Sequence, residues 1–224
     1  NTQGTVNSLN ALSKWDSPIH EPPYQAAIHG LVRAIPEQVS LFIPQDISNS
    51  LNALSKWPIS IQETPYKEAI CHLTTIIPEK IAKFHAREIA NALNALSKWP
   101  ISIHEPPYQA AIQALVRTIP EQASLFIPQG INNSLNALSK WPISVHETPY
   151  QEAIHSLMAT ILKQVNTFSM RDIAGMLNAL SKWPISTHAS PYQETIQALV
   201  RAIPQQVKLF TAQNISNSLN ALAK

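Results

Sequence analysis

The chain has 224 residues, 45% of them apolar, enough to fill a core and to exclude a disordered polymer. Only 13% are charged and the net charge is +2, too mild to mark a nucleic-acid binder by electrostatics alone. Cys71 is the single cysteine, which excludes an internal disulfide and a cysteine-built zinc site and fits a reducing compartment.

The chain opens Asn1-Thr2-Gln3-Gly4, without an initiator Met or a signal-peptide pattern, and reads as a segment cut from a longer protein. No apolar run is long enough to span a bilayer, so no membrane partner is expected. With so little charge, the surface must be covered largely by Ser, Thr, Asn, Gln and His.

From Trp15 onward the chain repeats itself. Trp15, Trp57, Trp99, Trp141 and Trp183 stand 42 residues apart, and Tyr24, Tyr66, Tyr108, Tyr150 and Tyr192 keep the same step. After a partial repeat at 1–14 come five gapless repeats: 15–56, 57–98, 99–140, 141–182 and 183–224. The copies alternate: the first, third and fifth carry Leu-Val-Arg (Leu31 to Arg33, Leu115 to Arg117, Leu199 to Arg201), the second and fourth Glu-Thr-Pro-Tyr. Duplication of a two-repeat block accounts for that pattern.

Each repeat predicts two helices. In the first, Ile28, Leu31, Val32, Ile35, Val39 and Phe42 step by three and four, a stripe down one face of a helix A. Pro23 suits its first turn, and Thr64, Thr148 and Ser190 are natural N-caps in later copies. Pro36, Pro78, Pro120 and Pro204 fall inside helix A, where an interior proline costs about 3 kcal/mol. The expectation is a kinked helix or two helices in near line, with a three-helix, armadillo-like repeat as the alternative. Leu162 takes this slot in the fourth repeat, which reads as unbroken helix. Helix B follows, with Ile47, Leu51, Leu54 and Trp57 as its stripe, Lys56 in its last turn and Pro58 as its stop. Residues 58–64 read as an extended connector.

A lone helix pair cannot bury both stripes, but stacked pairs can, each covering the next. The fold expected is therefore all-α: a single domain over 1–224, an α-solenoid of HEAT- or armadillo-like 42-residue repeats forming a superhelix. Trp15, Trp57, Trp99, Trp141 and Trp183 are assigned to the joints between repeats, with a ligand-binding aromatic row as the alternative reading.

The phrase Ser-Lys-Trp-Pro stands at Ser55 to Pro58, Ser97 to Pro100, Ser139 to Pro142 and Ser181 to Pro184. With its 42-residue period and the preceding Leu-Asn-Ala-Leu, the chain strongly resembles the SKWP-repeat effectors, large proteins that plant-pathogenic bacteria inject into host cells by type III secretion. The likeness runs over essentially the whole chain. It departs at Asp16, where proline is expected, and at Ala223-Lys224. The resemblance implies helical repeats, a role in virulence, secretion into the host cell interior and a host protein as partner. It implies no catalytic residues.

Two rows of residues are candidates for function. On helix B, Asn52, Asn94, Asn136 and Asn178 with Lys56, Lys98, Lys140 and Lys182 form polar ladders. They read either as a groove for a peptide or nucleic-acid backbone, or as asparagines bonding the adjoining repeat, which identity in every copy favours. On helix A, the residues that vary between copies are the better candidates for choosing a partner: His29 and Arg33, Cys71 and Thr75, Gln113 and Arg117, His155 and Ala159, Gln197 and Arg201, and one turn on Glu37, Glu79, Glu121, Lys163 and Gln205. Drift of a solvated surface explains the same variation.

Other chemistry is thin. His20, His104, His146 and His188 recur in the connectors, next to Glu21, Glu105 and Glu147, but stand a repeat apart and do not converge on one ion, so no metal site is expected. Four glycines form no phosphate-cradling loop. Cys71 and His72, adjacent on a helix, point about 100° apart, poor geometry for a nucleophile and its base. The expectation is a non-catalytic interaction scaffold without cofactors, with RNA binding as the alternative on the strength of the lysine ladder. The apolar stripe of the last helix, Ile215, Leu219 and Leu222, is expected to pair end to end with another copy or continue into further repeats.

Overall fold

A computed structural model describes residues 1–15, 21–57, 64–100, 105–141, 148–183, 190–206 and 211–222. Every regular element among them is helical. The chain forms two compact units, Asn1–Leu115 and Val116–Lys224.

The first unit holds α1 (Thr2–Leu12), α2 (Pro22–Gln38), α3 (Pro44–Leu54), α4 (Thr64–Lys80), α5 (Ala86–Leu96) and the start of α6 (Pro106–Gln122). Second helices of successive repeats pack on each other, α1 on α3 and α3 on α5; first helices do the same, α2 on α4. Each second helix also meets the first helix that follows it, α1 with α2 and α3 with α4. The stripes read from the sequence face inward: Ile28, Val32, Ile35, Ile47, Leu51, Leu73, Ile77, Ile89 and Leu93 are all buried, while Leu31 is half-buried. Burial of each aliphatic side chain is worth about 1.5–3 kcal/mol, and these contacts rather than helix propensity hold the 11-residue second helices.

The second unit contains α7 (Pro128–Leu138), α8 (Thr148–Gln164), α9 (Met170–Leu180), α10 (Tyr192–Gln206) and α11 (Ala212–Leu222). Its scheme is the same: α7 packs on α9, α9 on α11 and α8 on α10, with α7 meeting α8 and α9 meeting α10. Ile131, Leu135, Leu157, Ile161, Ile173, Leu177 and Leu199 are buried. Ile215 of α11 is exposed.

Four local expectations are corrected. The helix A prolines do not split the helix in two. Pro36, Pro78, Pro120 and Pro204 lie inside the last turn or so of α2, α4, α6 and α10, where each forgoes one N–H bond to the carbonyl four residues back while the helix continues past it. α8, with Leu162 in that slot, has the same 17 residues as α2, α4 and α6, so the proline is not what ends the helix. A single 3₁₀ turn follows in each of the first four repeats (Val39–Leu41, Ile81–Lys83, Ala123–Leu125, Val165–Thr167). It seats a buried phenylalanine, Phe42, Phe84, Phe126 or Phe168, whose N–H bonds back three residues. These phenylalanines are therefore not on helix A but in extended backbone after it.

Helix B also ends earlier than expected, at Leu54 and its counterparts, so Lys56 and Trp57 lie in the turn beyond it. Thr64 and Thr148 are the first residues of α4 and α8 rather than caps outside them, and the Ser190 hydroxyl bonds Glu194 Oε1 at 2.9 Å. Pro58, Pro142 and Pro184 fall outside the described residues, as do positions 59–63, 142–147 and 184–189 of the connectors.

Candidate functional site

The phrase Asn-Ala-Leu-Ser-Lys-Trp builds a helix end. Ser13, Ser55, Ser97, Ser139 and Ser181 each donate their hydroxyl to the carbonyl of the asparagine three residues back, at 2.9–3.1 Å. The serine N–H bonds the leucine carbonyl four back, and the lysine N–H takes the alanine carbonyl three back. Carbonyls that a helix end leaves without partners are thus satisfied locally. What recurs as an asparagine ladder in the sequence is anchored through the asparagine backbone.

The asparagine side chains behave differently. Asn52, Asn94, Asn136 and Asn178 are half-buried. Asn136 Nδ2 donates to Asn132 Oδ1 within its own helix at 3.0 Å. The Asn132 amide lies where a Cβ on Gly175 would be, 2.4 Å from its Nδ2, so glycine there admits it between α7 and α9.

The lysine ladder is an exposed row: Lys56, Lys98, Lys140 and Lys182 all face solvent. Two of them reach back toward the helix end one repeat earlier. Lys98 Nζ lies 3.4 Å from Ser55 Oγ in the first unit, and Lys182 Nζ 3.4 Å from Asn136 Oδ1 in the second. Their charge sits near the negative end of a helix dipole, a weakly favourable place for a cation. A further cross-repeat bond joins Lys80 Nζ to the Ser40 carbonyl at 2.8 Å.

On helix A, Arg33, Cys71, Thr75, Arg117, His155, Gln197 and Arg201 are exposed, as are Glu37, Glu79, Glu121 and Lys163. His29 and Gln113 are half-buried. His29 meets the ring of Tyr66 edge-on across the α2–α4 seam, with centroids 5.6 Å apart and planes at 72°. That contact could not be read from the sequence, because it depends on which faces of neighbouring helices A meet.

Trp57, Trp141 and Trp183 are buried, Trp99 is half-buried, and Trp15 is exposed. The tyrosines also tie repeats together. Tyr108 donates its hydroxyl to the carbonyl of Leu96, and Tyr192 to that of Leu180, the last residue of the preceding second helix in each case. The signal was present as Tyr spaced twelve residues after the last Leu of helix B, but spacing alone assigns no bond.

His20, His104, His146 and His188, with Glu147, lie outside the described residues. Glu21 and Glu105 are exposed. Among the described residues no group of three His, Cys, Asp or Glu side chains is placed to hold a metal ion. No helix among them is long and apolar enough to cross a membrane. Cys71 and His72 are both exposed. A scan against protein-family models and a search of curated proteins match nothing to this chain.

Proposed function

We propose that this chain is a non-catalytic α-solenoid scaffold, part of a type III secreted effector of the SKWP-repeat kind, that binds a host protein and contributes to virulence. The observation that carries the reading is the contrast between the two rows. The recurrent serine of the Ser-Lys-Trp phrase, at Ser13, Ser55, Ser97, Ser139 and Ser181, closes helix ends, a structural duty that accounts for its recurrence. The variable positions Arg33, Cys71, Thr75, Arg117, His155, Gln197 and Arg201 are exposed and spend little on packing. A surface free of structural duty and different in each repeat is what partner choice needs. Stacked copies of one two-helix repeat would give such a surface length.

The test uses the chain as bait in host extract. Substituting Arg33→Ala, Arg117→Ala and Arg201→Ala together should abolish capture of the partner, while Lys56→Glu, Lys98→Glu and Lys140→Glu together should leave it. Capture unaffected by the arginine set overturns the reading.

The second reading is RNA binding, favoured by the exposed lysine row. It predicts filter retention of RNA that falls steeply with salt and disappears with the lysine set. No retention at low salt removes it.

A further inference from the structure

The turns that follow α2 and α6 carry aliphatic side chains in water. Phe42 is buried, but its neighbours Leu41 and Ile43 are 71% and 53% exposed. In the second unit Phe126 is buried between Leu125 and Ile127, which are 65% and 60% exposed. The second and fourth repeats put polar residues at both places, Lys83 and His85, Thr167 and Ser169, and all four are exposed. The fold therefore does not need a leucine or an isoleucine there. The third repeat has further repeats before and after it, so the exposure of its pair does not come from where the sequence begins.

Each pair closes a row that starts on helix A. Arg33, Glu37 and Leu41 step by four residues in the first unit and are all exposed. Arg117, Glu121 and Leu125 repeat that order in the second unit, again exposed. At about 1.5 Å per residue, each row runs about 12 Å from the arginine to the leucine. The rows of the second and fourth repeats, Thr75-Glu79-Lys83 and Ala159-Lys163-Thr167, have neither the arginine nor the aliphatic end.

We propose that the rows of the first and third repeats are docking surfaces for an amphipathic helix of a protein partner. Its carboxylate meets the arginine, its cation meets the glutamate, and its apolar side chains cover the Leu–Ile pair. The inference rests on the reading of helix A as the partner-binding face and adds the chemistry of what binds there. A helix laid alongside presents side chains at the same four-residue step, so the three groups stay in register. Apolar burial on the pair supplies attraction, and the two opposite charges fix the register. The glutamates speak against a bilayer as the occupant. An anionic lipid surface attracts cations, and Glu37 and Glu121 stand between the arginine and the aliphatic end. A second copy of the chain does not complete the row either. Laid antiparallel with Arg33 over the copy's Glu37, it puts its half-buried His29 over Leu41.

The experiment titrates the 224-residue chain into fluorescein-labelled, alanine-based helical peptides and reads anisotropy. One peptide carries Glu, Lys and Leu at four-residue steps, made in both chain directions. Its control has the same composition with Glu and Lys exchanged. The first should saturate in one direction, and the control should bind tenfold or more weakly, about 1.4 kcal/mol. Leu41→Ser with Leu125→Ser should weaken the first peptide by tenfold or more. Circular dichroism and Tm should not change, since Lys83 and Thr167 already occupy the equivalent places. No saturable rise, equal binding of peptide and control, or binding indifferent to the leucine substitutions overturns the proposal. So does co-sedimentation with phosphatidylserine vesicles, or dimerisation of the chain alone, that the leucine substitutions abolish. Host extract separates this inference from the reading it rests on. Capture lost with the arginine set but kept with the leucine substitutions overturns the inference and leaves the scaffold reading standing. Saturable peptide binding with no host protein captured does the reverse.

Discussion

The phenolic hydroxyl of Tyr192 donates to the backbone carbonyl of Leu180, the last residue of α9. The ring is buried, and burial alone pushes its pKa up from 10.0 to about 12. The folded state therefore holds the proton more tightly than the unfolded chain. The stabilisation is fully present below about pH 10 and is lost as pH rises from there through about 12. Tyr192→Phe should cost about 1 kcal/mol in urea unfolding at neutral pH by deleting the bond. The gap between the two proteins should narrow above pH 10, because only the tyrosine can ionise. A gap that stays constant to pH 12 would show that the hydroxyl does not titrate with folding.

The role of the invariant phrase can be tested one atom at a time. Ser97 Oγ bonds the Asn94 carbonyl at 3.0 Å, a contact that the Asn94 side chain does not make. Ser97→Ala should lower stability by about 1 kcal/mol. Asn94→Ala should cost under about 0.5 kcal/mol, as expected for a half-buried surface residue. The reverse order would restore the view that the asparagine side chains are the structural element.

How much of this was legible depended on the range of the interaction. The 3.6-residue stripe of Ile28, Val32 and Ile35, and the stripe of Ile47, Leu51 and Leu54, depend on local periodicity and burial, and both are buried as read. Helix ends were harder. The interior proline invited a break, yet α8, with Leu162 in the same slot, has the length of α2, and a buried phenylalanine, Phe42 or Phe168, follows each, a tertiary placement that no local propensity encodes. The candidate rows were found as rows. Their bonding was not: Ser55 to Asn52 is a side chain acting on backbone, and His29 to Tyr66 depends on how two helices meet.

Helix α7 lacks a device that α3, α5 and α9 have. Asp46, Glu88 and Asp172 each accept the N–H of the residue three back, Ile43, His85 and Ser169, at 3.1–3.2 Å. The third repeat has Gly130 in that place. Gly130→Asp restores a carboxylate to the first turn, where the helix dipole favours it, and replaces the poorest ordinary helix former. We expect about 1 kcal/mol of added stability, read as a raised urea midpoint at unchanged m-value. The part of the gain that the carboxylate supplies should be lost near pH 2, where it is protonated, leaving the part due to glycine removal. A stabilisation undiminished at that pH would assign the whole effect to glycine removal.

The last prediction separates packing from partner choice on helix A. His29 and Arg33 are one turn apart on α2, and His29 meets the ring of Tyr66 at 5.6 Å between centroids. Arg33 is exposed. His29→Ala should therefore lower stability by about 0.5–1 kcal/mol, the worth of an edge-to-face ring pair. His29→Phe, which keeps the ring, should recover most of that loss. Arg33→Ala should leave the unfolding midpoint unchanged within error, since its guanidinium is solvated. Thermal melts of the three variants with Tyr66→Leu as background close a double-mutant cycle. With Tyr66 removed, the histidine and phenylalanine effects should collapse toward zero, leaving Arg33 and the exposed arginines one and two pairs of repeats on, Arg117 and Arg201, as positions that can change without disturbing the fold. If Arg33→Ala destabilises as much as His29→Ala, the variable row belongs to the scaffold, and the partner must be sought on another face.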